Sequence, residues 1–329
     1  MSLELDYITL EEDMDRLVAL ESMGAPITNP AIQAIRKRWC LDVGVAHEAR
    51  DKSRTTSSLL SQMYNDLAGY FGTRYGEALK KLSDETAQLE KHCDQMESWL
   101  AKQATLDAKE AKSGSWTSKV CFEDVPDLPQ CLKLANSADA IDAVVKQYTV
   151  VTRQIVTSPV VDRRKMENGE LKKISYSSNA AIHRASGILG RFGEDDVEAR
   201  PLAGNVIVVT RGEGDKAKVE FAVAHGGDYK SEIVSLNKAQ CTQALKAVRT
   251  IIKSLEKRAA KNGALGYSGI YTELEKMKGE MKKMGGDELR VATRRFKNAV
   301  QLEDAFTTAL ARVADGLINW VGASLKANS

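Results

Sequence analysis

The sequence predicts a mainly α protein, with long amphipathic helices forming a bundle and one inserted β-hairpin. Three observations carry that expectation. The first is a seam. Apolar or small residues recur at Tyr75, Leu79, Leu82, Thr86, Leu89, Cys93, Met96 and Leu100, in steps of four and three. The mean period of about 3.5 residues is that of a helix packed lengthwise on other helices. Glu77, Lys80, Lys81, Asp84, Glu85, Glu90, Lys91, Asp94 and Glu97 fall between these positions and want water, and no Pro or Gly interrupts the run after Gly76. The second is a long helix from Asp287 to about Leu325, the natural partner of the first. It sets Leu289, Ala292, Phe296, Ala299, Phe306, Leu310, Val313, Leu317 and Trp320 on one stripe, which Glu303 breaks. The third is a pair of strand-like runs, NVIVVT (205–210) and KVEFAVA (218–224), flanking the glycine-containing turn RGEGDKA. That pattern is a β-hairpin over 205–224. NVIVVT is nearly all apolar, so that strand is expected to be covered on both faces.

In chain order, Thr9 and Glu12 have capping-box spacing, and Leu10, Met14, Leu17, Val18 and Leu20 form an apolar face up to Gly24. Asn29 and Pro30 suit the start of a second helix carrying Ile32, Ile35, Trp39, Val43 and Val45. Residues 53–58 are a Ser/Thr cluster, read either as a loop or as a polar patch within a longer helix. Gly72 and Thr73 punctuate before the first long helix. Residues 107–136 contain KSGSWTSK and VCFEDVPDLPQC and read as an ordered connector with a short strand at 119–122. A helix follows over 137–156, whose β-branched end is compatible with a strand. Residues 158–176 are a charged excursion turning at Asn168-Gly169. A helix over 177–192 is interrupted by Gly187 and Gly190. Beyond the hairpin come helices over 237–261 and 271–284, the latter rich in Met and Lys. The expected division is 1–106, an N-terminal helical region; 107–136, the connector; and 137–329, a helical region containing the hairpin.

Bulk properties fit this picture. Aromatics are 6% and prolines six, a composition that favours helices. The net charge of +2 makes no global commitment to nucleic acid or membrane. The five cysteines are widely spaced with no CxxC, which reads as reduced, partly buried thiols in a cytosolic setting. The start, MSLELDYITLEEDMD, is acidic and has no apolar leader region, so no secretory signal is expected. No apolar run approaches the roughly 18 residues that span a bilayer.

Chemistry is harder to find. The four histidines lie outside HExxH spacing, so no metal site is expected. No GxxxxGK[ST], GxGxxG or GxSxG motif occurs, and hairpin turn chemistry explains Gly212 and Gly214. The expectation is no catalytic residue, no cofactor and no enzyme. One charge pattern stands out. Residues 246–297 hold fourteen Lys and Arg against six acids, an excess of eight. Lys246, Arg249, Lys253 and Lys257 share one helical face, and Arg290, Arg294 and Lys297 share another. Such a stripe can contact phosphates without reading sequence. The plainer account is a solvated face, or a surface meeting the acidic N-terminus of the same or a neighbouring chain.

The acidic start LDYITLEEDMDRLVALESM, the central NVIVVT…VEFAVA and the end QLEDAFTTALARVADGLINWVGASL together resemble internal head or virion structural proteins of large tailed bacteriophages. The resemblance implies a protein without catalysis, located in the virion; apart from the resemblance, the expected location is cytoplasmic. It implies contacts with other capsid proteins or copies of itself, and with DNA through non-specific phosphate contacts, but no membrane. It defines no site residues.

Overall fold

The computed structural model describes residues 13, 16–17, 19–20, 29–38, 56–149, 173–190, 192, 196–212, 217–224, 232–278 and 286–329. The described chain is mostly helical, with small antiparallel sheets. Its helices are α1 (Pro30–Arg38), α2 (Thr56–Ala101), α3 (Leu128–Ala135), α4 (Ala138–Thr149), α5 (Asn179–Leu189), α6 (Lys238–Ala259), α7 (Gly266–Lys278) and α8 (Gly286–Ala327). Its strands are β1 (Glu110–Lys112), β2 (Cys121–Phe122), β3 (Val125–Pro126), β4 (Val197–Leu202), β5 (Val206–Arg211), β6 (Lys218–Val223) and β7 (Glu232–Val234). Among the described residues no helix is long and apolar enough to cross a membrane.

The helix α8 is the centre. It packs on α2, α4, α6 and α7, on β6 and β1, and on the 3-10 turn Thr117–Val120. Ala292, Phe296, Ala299, Phe306, Ala309, Leu310, Val313, Leu317, Val321 and Leu325 are all at most 3% exposed. The single stripe read from the sequence is therefore too narrow, because helices apolar on most sides become buried on most sides. One large core cluster includes Leu89, Val120 and Phe306, and so draws on all three segments read from the sequence.

The first long helix is longer than its seam. It runs unbroken from Thr56 through Gly72 and Gly76. An interior glycine costs a helix about 1 kcal/mol and does not by itself end one. Residues 107–136 also hold more structure than a connector. Asp127 accepts from the Gln130 amide as N-cap of α3, with a proline in the first turn. The strand expected at 119–122 is the two-residue β2, paired with β3. The α7 helix begins at Gly266, five residues before the sequence suggested. Expectations for 150–172, for Met281 and Met284 and for most of the first 55 residues lie outside the described residues.

The single hairpin needs correction. β5 and β6 do pair, from Val206↔Val223 to Arg211↔Lys218. A third strand, β4, pairs with β5 from Val197↔Arg211 to Leu202↔Val206. Its Pro201 argues against a central strand, yet Pro is tolerated on an outer edge, where no ladder donor is needed. β5 is covered on both faces, as its composition required. Val206 and Val208 join the main core, while Ile207 and Val209 pack with Ala181 and Ala185 of α5.

Both edges of this sheet are covered. The Asn298 side chain accepts from Val219 N at 2.9 Å and donates to Ala217 O at 2.9 Å, standing in for a strand beside β6. On the β4 side, Ser178 N donates to Ala199 O, and the Ser175 hydroxyl donates to Pro201 O. The remaining two-stranded sheet joins β1 to β7, Lys112↔Glu232 through Glu110↔Val234.

Close approach at one glycine tests this packing. A Cβ on Gly316 would lie 2.7 Å from Val120 Cγ1 and 2.9 Å from Lys119 C. The 3-10 turn therefore rests directly on the α8 backbone. Gly316→Ala is expected to destabilise the protein by about 1–3 kcal/mol despite alanine's better helix propensity. The urea midpoint measures it, and an unchanged or raised midpoint would refute the contact.

Candidate functional site

The basic stripe divides in the structure. Lys246, Lys253 and Lys257 are exposed along α6. Arg249 lies among them but turns toward α2. Its guanidinium donates to Glu97 at 3.1 and 2.6 Å and to Asp94, with Glu90 at 3.9 Å. The hydrogen bond from Arg249 holds the Glu97 carboxyl below its usual range. Arg294 is 6% exposed and Lys297 half-buried on α8, while Arg290 lies in the first turns of that helix. The structure thus brings three lysines together on one open face and places Arg249 in a contact between helices.

A buried ion network lies at the other end of α6. Arg258, 1% exposed, donates to Glu303, which is fully buried, and to Asp142. Glu303 is the residue that interrupts the apolar stripe, and Arg258 is one of the fourteen basic residues of 246–297. Burial raises the pKa of both Glu303 and Asp142, while the nearby Arg258 opposes that shift. Gly266 passes over the pair with φ +59°, and a Cβ there would sit 2.9 Å from Glu303 Oε1. Outside it lies a cavity of about 340 Å³ lined by Asp142, Lys146, Asn262, Gly266 and Glu273.

The larger concavity is a groove of about 670 Å³ between α2, β1 and the C-terminal half of α8. Met96 and Trp99 of α2, Trp116, and Ile318 and Gly322 of α8 give it an apolar floor. The Lys119–Asp315 ion pair, at 2.5 Å, joins the 3-10 turn to α8 beside it. Glu110 and Lys112 of β1 form one side. The indole of Trp320 lies 6.4 Å from that of Trp116 and donates to Val234 O at 3.0 Å, which fixes β7 against α8. The hydrogen bond from Glu110 and its negative charge raise the pKa of the Glu232 carboxyl on the outer surface.

The sequence did not bring these groove residues together: Met96 read as part of the α2 seam and Trp320 as part of the α8 stripe. KSGSWTSK read as turn, and the three residues of β1 are too few to show a period of two. The four described cysteines, Cys93, Cys121, Cys131 and Cys241, are free and fully buried rather than partly so. Burial pushes the Cys93 thiol up to about 12 and the Cys241 thiol up to about 11, which leaves little nucleophilic thiolate. Among the described residues no group of three or more His, Cys, Asp and Glu is placed to hold a metal ion. The groove offers apolar contact and backbone hydrogen-bonding groups, the chemistry of recognition.

The ion network makes a stability prediction. Arg258→Met leaves Glu303 buried without its counter-charge, at an expected cost of about 3–5 kcal/mol near neutral pH. The folded-state pKa of Glu303 is already above its ordinary value of 4.5, and loss of Arg258 raises it further. The penalty falls on the ionised form, so the deficit should shrink as pH drops through the folded pKa toward about 4.5. Denaturation of both proteins from pH 4.5 to 8 checks this, and a deficit that is constant with pH would refute it.

Against known proteins, no family model matches the chain, and neither a curated protein nor a solved structure matches it significantly.

Proposed function

We propose that this chain is a non-enzymatic structural or assembly protein of a virion, an internal head or capsid-associated component of a tailed phage. The observation that carries the reading is the arrangement of α2 and α8, helices of 46 and 42 residues packed on each other and on α6. At 1.5 Å per residue they extend about 60–70 Å, a length suited to bridging neighbours in an assembly. In this reading α2, α6 and α8 act as one helical bundle, and the groove beside β1 meets another virion protein. The resemblance of the two ends and the central strands to internal head proteins supports the same assignment. Quantitative mass spectrometry of density-gradient-purified particles against soluble lysate tests it. Many copies per particle are expected, and absence from particles would overturn the virion assignment.

A second reading has its own observation, the exposed Lys246, Lys253 and Lys257 on one face of α6. Such a face binds duplex DNA through phosphates alone. Three phosphate contacts give a log–log salt slope of about −3. Changing all three lysines to alanine should remove low-salt binding while leaving the Arg249 contact and the fold intact. Binding with no salt dependence, or none at low ionic strength, would eliminate this reading.

A further inference from the structure

Three of the strand edges described above are occupied by other parts of the chain. Asn298 covers β6, residues 175–178 cover β4, and Trp320 takes the Val234 carbonyl on the outer side of β7. The outer edge of β1 is different. Ser235 N donates to Lys109 O, and Ala111 is the partner of Ile233. Backbone groups alternate sides along an antiparallel strand. The N–H and C=O of Glu110 and Lys112 therefore point away from β7. Glu110 and Lys112, together with no residue of β7, line the groove of about 670 Å³. Among the described residues no hydrogen bond to these four groups is present. Unpaired strand edges of this kind are templates for another strand.

The floor beside this edge decides what can add there. An antiparallel pair of identical strands is related by a two-fold axis perpendicular to the sheet, so both copies carry their helices on the same side. The surface beyond the β1 edge is already filled by Met96 and Trp99 of α2 and by Ile318 and Gly322 of α8. A second copy would bring its own α8 into that space. A slender extended segment, with nothing folded behind it, meets no such obstacle.

The chemistry of the edge gives the sequence of that segment. Ala111 is 2% exposed and faces the helices, while Glu110 and Lys112 face solvent. A residue opposite Ala111 thus points down onto the tryptophan-lined floor, and its two neighbours point outward beside Lys112 and Glu110. The existing partner β7 already follows part of this pattern, with Glu232 opposite Lys112 and Ile233 opposite Ala111. Opposite Glu110, however, stands Val234, 66% exposed, so Glu110 has no basic residue across the β1–β7 ladder and meets the Glu232 carboxyl on the diagonal instead.

We infer that β1 accepts an extended segment of a partner protein as a third, antiparallel strand, reading acidic–apolar–basic from its N-terminus. The acidic residue lies opposite Lys112, the apolar one seats on Met96, Trp99 and Ile318, and the basic one completes the acidic pair at Glu110. Backbone bonds to Glu110 and Lys112 supply affinity, and the floor and the two charges supply choice. This deepens the assembly reading, on which its biological setting rests, by naming the kind of partner surface the groove fits.

The test uses the full chain and a labelled seven-residue peptide, Thr-Thr-Glu-Leu-Lys-Thr-Thr. Binding is followed by anisotropy and by tryptophan fluorescence, since Trp99 and Trp116 line the groove. Saturable binding is expected, five- to tenfold tighter than for the reversed Lys-Leu-Glu peptide, because two cross-strand pairs change sign. Lys112→Pro removes one outward N–H while Ala111 N–H, which faces β7, remains. It should weaken binding about tenfold or more with an unchanged urea midpoint. The exchanged variant Glu110→Lys/Lys112→Glu should prefer the Lys-Leu-Glu peptide. No saturable binding, or equal binding by the wild type and Lys112→Pro, overturns the strand-addition site. Equal affinity for the two peptides overturns the antiparallel register. Virion enrichment without peptide binding would sink this inference alone, and peptide binding by a chain absent from particles would sink only the virion assignment.

Discussion

Everything else in this fold is constrained by the burial of α8. A helix of 42 residues with apolar or small groups on most sides has to be surrounded, and described elements from α2 through α7 supply its neighbours. Small residues set how near they come. Ala299, Ala309 and Ala314 are fully buried, and Gly316 has no room even for a methyl group. The helix therefore behaves less like one partner of a pair than like an axle. The sheet, the 3-10 turn and the helices α2, α4, α6 and α7 are all positioned by contact with it.

Such an environment treats charge severely, and the two arginine clusters show the difference. Arg258 and Glu303 lie where water does not reach, so neither can lose the other without leaving a stranded ion. Arg249 is half-buried with three carboxylates around it, each of them substantially exposed. Its contribution is screened by solvent, and it acts more by selecting how α6 lies along α2 than by adding much stability. The same residue type, about two and a half turns apart on one helix, thus has two physical roles that sequence spacing alone does not separate.

What could be read in advance follows from the range of the interactions. The α2 seam, the α8 run and the two faces of β5 were legible because local periodicity reports burial. The α6 N-terminus was legible through Asn237, which forms a capping box with Gln240. β4 was hidden because its charged Glu198 and Arg200 and its Pro201 are accommodated by a sheet edge, and nothing local announces an edge. Glu303 read as a flaw in a stripe because its partner is 45 residues earlier in the chain. The groove was least legible of all. Trp99, Glu110 and Ile318 come together only after three separate segments have packed, and none carries a recognisable motif. The Asp127 cap with its nearby proline, by contrast, was a readable start signal within what passed for a connector.

The ladder between β1 and β7 has a consequence for how the molecule comes into being. Lys109 and Ser235 meet across 126 positions of sequence. Closing a loop of that length costs conformational entropy that three residues of strand cannot offset by themselves. The ladder must wait until α8 and its Trp320 have provided a surface on which both short strands can settle. The unprotected edge of β1 is consequently a late product of folding. During synthesis, when nascent chains are crowded and sticky, that edge does not yet exist, and the exposure that would endanger an early strand arises only in the finished molecule.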